Sequence, residues 1–231
     1  DWSSDVCSSD LGHALVRIDV FSDVVCPWCF VGKRRLDAAL KAADIEDADI
    51  HWHAFQLNPD LPPEGVDRRE YMQKKFGSPE TIARIHERVS EAGRSAGIDF
   101  RFDAITRSPN TFDAHRLLTL AGTQGRQNAL KEALLSAYFL EGRDIGDHGV
   151  LSDVTMQVGM SGDIPAWLAS DAAAQEVRED LGTAARLEIS GVPFFIFAGR
   201  YALAGAQPPE VFAETLAAAQ RLPAGDSRAI G

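Results

Sequence analysis

Cys26-Pro27-Trp28-Cys29 is the segment of this sequence best suited to chemistry. Two cysteines at this spacing can pass between a dithiol and a disulfide, and a thiolate is the nucleophile that carries the exchange. The exchange needs one cysteine with a lowered pKa. A helix N-terminus lowers it through unpaired N–H groups and the positive end of the helix dipole. Cys26 is expected to hold that position, exposed and acidic, and to attack. Cys29 lies one turn deeper and is expected to resolve the mixed disulfide. Pro27 suits the first helical position, where its missing N–H has no partner to lose. A pair of buried, inert cysteines is the alternative reading of an isolated CxxC.

The third cysteine, Cys7, lies in a Ser/Asp-rich segment, residues 1–12, which is set aside as non-native or disordered. It has no basic n-region and no apolar h-region, so it does not read as a secretory signal. The cytoplasm is then the default expectation. A disulfide scaffold would need more cysteines, and a structural zinc site would need more ligands than one CxxC. The 231 residues carry a formal net charge of −11, which repels phosphate backbones, so no nucleic-acid partner is expected. No apolar run reaches bilayer length, so no membrane partner is expected either. The oligomeric state is not set by these features.

The elements that must position the cysteines follow from periodicity. Residues 15–21 alternate and are β-branched, which predicts a strand, and Ser22-Asp23 ends it. Residues 30–40, with Leu36 and Leu40 one turn apart, predict the helix that begins at the CxxC. Lys33 and Arg34 on it are expected to be solvated. Residues 50–57 predict a second strand, with His51 and His53 as surface or hydrogen-bonded residues. Residues 66–167 then read as helical, Leu130, Leu134, Ala137 and Tyr138 marking one apolar face, with no strand-like alternation. A helix over 171–188, capped by Ser170, leads to a strand at 192–197, a turn at Gly199-Arg200, a return strand and a last helix. The order predicts an α/β fold: a discontinuous sheet domain, 13–65 with 168–222, around an all-helical insertion at 66–167, and a tail at 223–231.

Gly191-Val192-Pro193 opens the late strand. A strand-initial proline cannot donate to a ladder, and X–Pro is the bond at which a cis peptide is tolerated. Such a proline would face the cysteines and leave the Val192 backbone free for an extended substrate.

These residues resemble the DsbA family of thioredoxin-like proteins, and within it the FrnE-like branch. The resemblance covers about Val16 to Ala219 and rests on several motifs. They are Cys26-Pro27-Trp28-Cys29-Phe30-Val31-Gly32-Lys33, Phe55-Gln56-Leu57-Asn58-Pro59 and Arg107-Ser108-Pro109-Asn110-Thr111 with Ala114-His115. Ala137-Tyr138-Phe139, Gly191-Val192-Pro193-Phe194-Phe195 and Gly205-Ala206-Gln207-Pro208 complete them. The resemblance implies a thioredoxin-like sheet with a helical insertion, a redox-active Cys26–Cys29 pair and a cis Pro193. The sequence is also similar, more distantly, to glutathione-dependent 2-hydroxychromene-2-carboxylate isomerases and kappa-class glutathione transferases. Those use a serine where this chain has Cys26, which favours dithiol chemistry.

The expected activity is thiol–disulfide exchange with a protein or small-molecule substrate. No bound cofactor is expected, glutathione entering at most as a thiol co-substrate. A glutathione-dependent isomerase or transferase and a chaperone-like peptide binder are the alternatives. Val192, Pro193, Trp28 and Phe30 are expected to form substrate-binding surface beside the sulfurs. Asn110 and His115 are candidates to line the cleft from the insertion. Core packing is the alternative for His115, which has no charged partner visible in the sequence, and helix capping is the alternative for Asn110.

Overall fold

The computed structural model describes residues 16–45 and 48–221, so the segments at 1–12 and 223–231 lie outside the described residues. β1 (Arg17–Ser22) is the centre of the fold. It pairs in parallel with β2 (Asp49–Ala54), Val20 opposite Trp52, and antiparallel with β5 (Phe194–Phe197), Val20 opposite Phe195. β6 (Tyr201–Ala204) completes the order β2-β1-β5-β6. The hairpin β5–β6 turns through Ala198 and Gly199, with φ of 51° and 65°, one residue earlier than the sequence predicts. Positive φ at both central residues matches the right-handed twist of paired strands.

α1 (Pro27–Ala42) begins directly after β1, with Cys26 as its N-cap residue and Pro27 in its first turn. α1 packs one face onto the sheet beside α9 (Pro209–Gln220), burying Ile18, Val20, Leu36, Phe195, Phe197 and Phe212. α8 (Ala174–Arg186) covers the other face, where Ala184 meets Phe21 and Ile189. α8 starts later than expected, because Ala173 adopts φ of 58°; Ser170 Oγ accepts from the Ala172 N–H instead of capping the helix.

Between β2 and α8 the chain forms β3 (Val66–Asp67), α2 (Arg68–Phe76) and α3 (Pro79–Ser95). A 3-10 turn at Phe102–Ala104, β4 (Arg107–Ser108), α4 (Phe112–Thr123) and α5 (Gln127–Phe139) follow. α6 (His148–Gln157) and α7 (Ile164–Leu168) close the block. β3 and β4 form a two-residue antiparallel ladder that no alternation in the sequence announces. It is too short for a period of two to show.

The helical block is continuous with the rest in packing. Val24, Phe30 and Val31, beside and after the CxxC, share a buried cluster with Leu117, Leu134 and Phe139 of the block. Phe30 is fully buried, its ring 6.3 Å from Phe139 and 6.0 Å from Phe100. It is therefore core, and not the exposed apolar surface expected of it, because α3 and α5 close over α1. For the same reason Lys33 is buried rather than solvated, its Nζ 2.8 Å from Asp37 and 3.0 Å from Glu132.

β2 is an edge strand, and edges invite pairing with other chains. Here the edge is covered by side chains: the Trp52 N–H donates to Gln127 Oε1 at 2.9 Å, and Gln127 Nε2 donates back to the Trp52 carbonyl at 3.0 Å. The Ala54 N–H donates to Asp180 Oδ2 at 2.8 Å.

Candidate functional site

Both cysteines of the CxxC are free thiols at the N-terminus of α1. Cys26 is 4% exposed and Cys29 0%. Both are buried, Cys26 being the less enclosed, and Cys29 sits one turn deeper, where α1 geometry must place it. The Cys26 thiol donates to the Val192 carbonyl, with Sγ 3.6 Å from the oxygen. The Val192–Pro193 bond is cis. Pro193 is held close to α1: a Cβ on Gly32 would lie 2.9 Å from Pro193 Cγ. Gly32 is thus the residue that lets the late strand approach the CxxC helix.

Beneath the sulfurs lie two charged groups and a histidine, all fully or almost fully buried. Asp23 Oδ2 accepts from the Leu57 N–H at 2.8 Å, and Asp23 Oδ1 faces His115 Nε2 at 3.3 Å. The Asp23 carbonyl accepts from the Cys26 N–H at 3.3 Å. Burial favours the neutral acid, but the His115 hydrogen bond and charge, the Leu57 amide and the Lys131 charge hold the Asp23 carboxyl below the usual range. Lys131, on α5, is fully buried, and its Nζ has no hydrogen-bond partner among the described residues. Its ammonium lies 5.3 Å from the Trp52 ring centroid, a cation–π contact. Burial pushes the Lys131 pKa down to about 8, against the upward pull of Cys29, Asp23 and Cys26.

The two thiols titrate as a unit. Burial pushes the Cys29 thiol up. The contact with the Cys26 sulfur, the Lys131 charge and the Asp23 backbone outweigh it, and the pair's first proton leaves below the ordinary thiol value. Contact between the two sulfurs, burial and the negative charges of the first thiolate and of Asp23 hold the pair's second proton well above that value, against the Cys29 N–H. The pair thus stabilises one thiolate and resists a second. Cys26 is 4% exposed, not the open thiol expected. The helix N-terminus and the Lys131 charge favour the single negative charge the two sulfurs share, while burial and the Asp23 charge oppose it.

The other expected site residues divide. Val192 and Pro193 meet the cysteines. Trp28 is half-buried against the helical block, with the Arg88 guanidinium 5.9 Å from its ring. Phe30 does not reach the sulfurs' surface at all. His115 is behind the site, 1% exposed at its side chain, so it supports Asp23 and cannot touch substrate. Asn110 spends its side chain on the protein itself: it donates to the Leu61 carbonyl at 2.7 Å and accepts from Gln56 Nε2 at 3.1 Å and the Phe112 N–H at 2.9 Å. It fixes the approach to α4 rather than lining the cleft beside Cys26.

Lys131 and Asp23 were not singled out from the sequence. Lys131 had a signal: it stands among Leu130, Leu134, Leu135 and Tyr138, in the apolar stripe of α5, where a solvated lysine has no place. Asp23 had none beyond its closeness to Cys26.

No helix among the described residues is long and apolar enough to cross a membrane. A probable DsbA oxidoreductase of Streptomyces coelicolor has a crystal structure that superposes with a TM-score of 0.80 at 33% identity, covering 90% of this chain and 92% of that one. The uncharacterized protein YwbO of Bacillus subtilis is 28% identical over 214 residues, 89% of this chain and 98% of that protein. The cytosolic disulfide reductase DsbM of Pseudomonas aeruginosa, solved with GSH, shares the fold with a TM-score of 0.62 at 19% identity, covering 89% of this chain and 100% of that one. Residues 17–217 match the DSBA-like thioredoxin domain, and the chain belongs to that family.

Proposed function

We propose that the chain exchanges its Cys26–Cys29 dithiol with substrate disulfides, as a member of the FrnE-like branch. The observation that carries this reading is the pair of free thiols at the start of α1, Cys26 against the Val192 carbonyl and Cys29 one turn deeper, with the Lys131 charge favouring one thiolate in the pair. Cys26 attacks one sulfur of a substrate disulfide; that S–S bond breaks, and the departing thiolate takes a proton. Cys29 then attacks the Cys26 sulfur, releasing the second substrate thiol and closing the Cys26–Cys29 disulfide. Two electrons pass to the substrate. Lys131, with a pKa of about 8, is suited to hold or release a proton beside Cys29 near neutral pH. Two glutathione molecules would return the pair to the dithiol, forming one glutathione disulfide. The GSH carried by the DsbM structure is consistent with a thiol of that size in this fold.

The test is reduction of insulin and of glutathione disulfide, together with trapping. Cys29→Ser should accumulate mixed disulfides through Cys26, and Cys26→Ser should accumulate few. Equal trapping by both variants would remove the assignment of attacking and resolving roles. Isomerisation of 2-hydroxychromene-2-carboxylate surviving in Cys29→Ser would favour the glutathione-dependent isomerase. Suppression of aggregation by the doubly substituted protein, with no reductase activity in the wild type, would favour the chaperone-like binder.

A further inference from the structure

Val25 and Pro27, the residues on either side of Cys26, form part of the wall of a cavity of about 110 Å³. The rest of the wall is mostly apolar, contributed by Leu57, Met72, Phe76, Val89 and Phe102 among others. A closed cavity of roughly 150 Å³ holds benzene, so this smaller, open space takes a short branched chain or part of one ring reaching in from the open side.

The polar groups in the wall have a consistent sign. Arg68 and Lys75 both line the cavity, and neither is in an ion pair among the described residues. Arg68 Nη1 donates to the Tyr138 hydroxyl at 3.0 Å. Lys75 Nζ donates to Asn58 Oδ1 at 2.6 Å and to the Tyr71 hydroxyl at 2.7 Å. All these partners are neutral oxygens; burial pushes the Tyr138 phenol up to about 12, so it does not compensate Arg68. His86 also lines the cavity, and its buried Nε2 has no hydrogen-bond partner. This wall thus presents two cations with no carboxylate partner among the described residues.

We infer that this cavity selects small disulfides that carry an apolar ring or branched chain next to a carboxylate. The apolar part fills the space beside Pro27, the carboxylate meets Arg68 and Lys75, and the disulfide is brought to Cys26. The inference rests on the exchange reaction proposed above and names the substrate class for it. A charge-assisted hydrogen bond is worth roughly 1.5–3 kcal/mol, or about tenfold or more in affinity.

The experiment compares two aromatic disulfides, the dianionic dithiobis(nitrobenzoate) and the smaller, neutral dithiodipyridine, each variant being read against the wild type. The readout is the ratio of their kcat/KM values, measured for the wild type, Lys75→Gln and Arg68→Gln. Each variant should lower the anionic-to-neutral ratio about tenfold, mainly through KM for the anion, and Lys75→Glu should lower it further. Lys75 is exposed, so its variants keep the test alive should Arg68→Gln fold poorly. A ratio unchanged in both Lys75 variants overturns the inference. Failure of the exchange reading looks different: the wild type reduces neither reagent, or Cys26→Ser reduces both as fast as the wild type.

Discussion

His115 Nε2 lies 3.3 Å from Asp23 Oδ1, across 92 residues of chain, and both side chains are 1% exposed. The contact ties the helical block to the turn before the CxxC. His115→Leu leaves a buried carboxylate with the Leu57 amide as its remaining hydrogen bond, and breaking a buried pair costs about 3–5 kcal/mol. The Asp23 carboxyl is held below its usual range, so its stabilising contribution is present above the unfolded value near 3.8 and is lost as pH falls through the folded value. In His115→Leu that loss should begin at a higher pH. Urea denaturation at several pH values checks both effects; an unchanged midpoint from pH 4 to 7 would show that the pair contributes nothing.

Lys131→Met should separate activity from stability. The methionine fills a similar volume and removes a buried ammonium with no hydrogen-bond partner, so the protein should become more stable, by about 1–3 kcal/mol. The same change removes the charge that favours the dithiol's first thiolate, so the first ionisation of the dithiol should move to higher pH. The thiolate absorbance near 240 nm, followed against pH, reads this directly. A titration curve identical to that of the wild type would leave Lys131 as a packing residue only.

Gly32→Ala tests how closely the Val192–Pro193 segment must approach α1. The new Cβ would stand 2.9 Å from Pro193 Cγ and 3.1 Å from Phe195 Cζ. Overpacking of this kind costs about 1–3 kcal/mol. It also pushes the Val192 carbonyl away from Cys26, so mixed-disulfide formation should slow by more than the stability loss explains. Stopped-flow reduction of a small disulfide, measured where both proteins are fully folded, is the check; equal rates would mean that the approach serves packing alone.

His53 carries the clearest pH dependence. Burial lowers its pKa, yet hydrogen bonds to Asp180 and Asp19, 2.8 and 2.9 Å long, raise it to about 9. A raised histidine pKa gives stability that is fully present below the unfolded value near 6.5 and is lost as pH rises through about 9. The wild type should therefore lose about 2–3 kcal/mol between pH 6.5 and 9.5, an order-of-magnitude value from that shift. His53→Gln should be less stable at pH 6 and nearly flat across the same window. A wild-type protein equally stable at both ends of the window would refute the assignment.

How much of this was legible in the sequence follows from the range of the interactions. The CxxC, the proline after Cys26 and the amphipathic run behind it specify a reactive helix start through contacts within a few residues. The alternating runs around Val20 and Phe195 specify strands for the same reason, and the motifs at Gly191–Phe195 and Arg107–Thr111 carry the family resemblance. The charge state of the dithiol was beyond local reading. It depends on Asp23, Lys131 and His115, brought together from β1's end, α5 and α4. Whether a given lysine is solvated or buried under two sulfurs depends on which helices close over it. The same closure turned Phe30 from surface into core and gave Lys33 its carboxylates. Side-chain spacing fixed what each element is; only the packing of the helical block onto α1 decided the dielectric and the charges the two sulfurs meet, because those terms act through space and not along the chain.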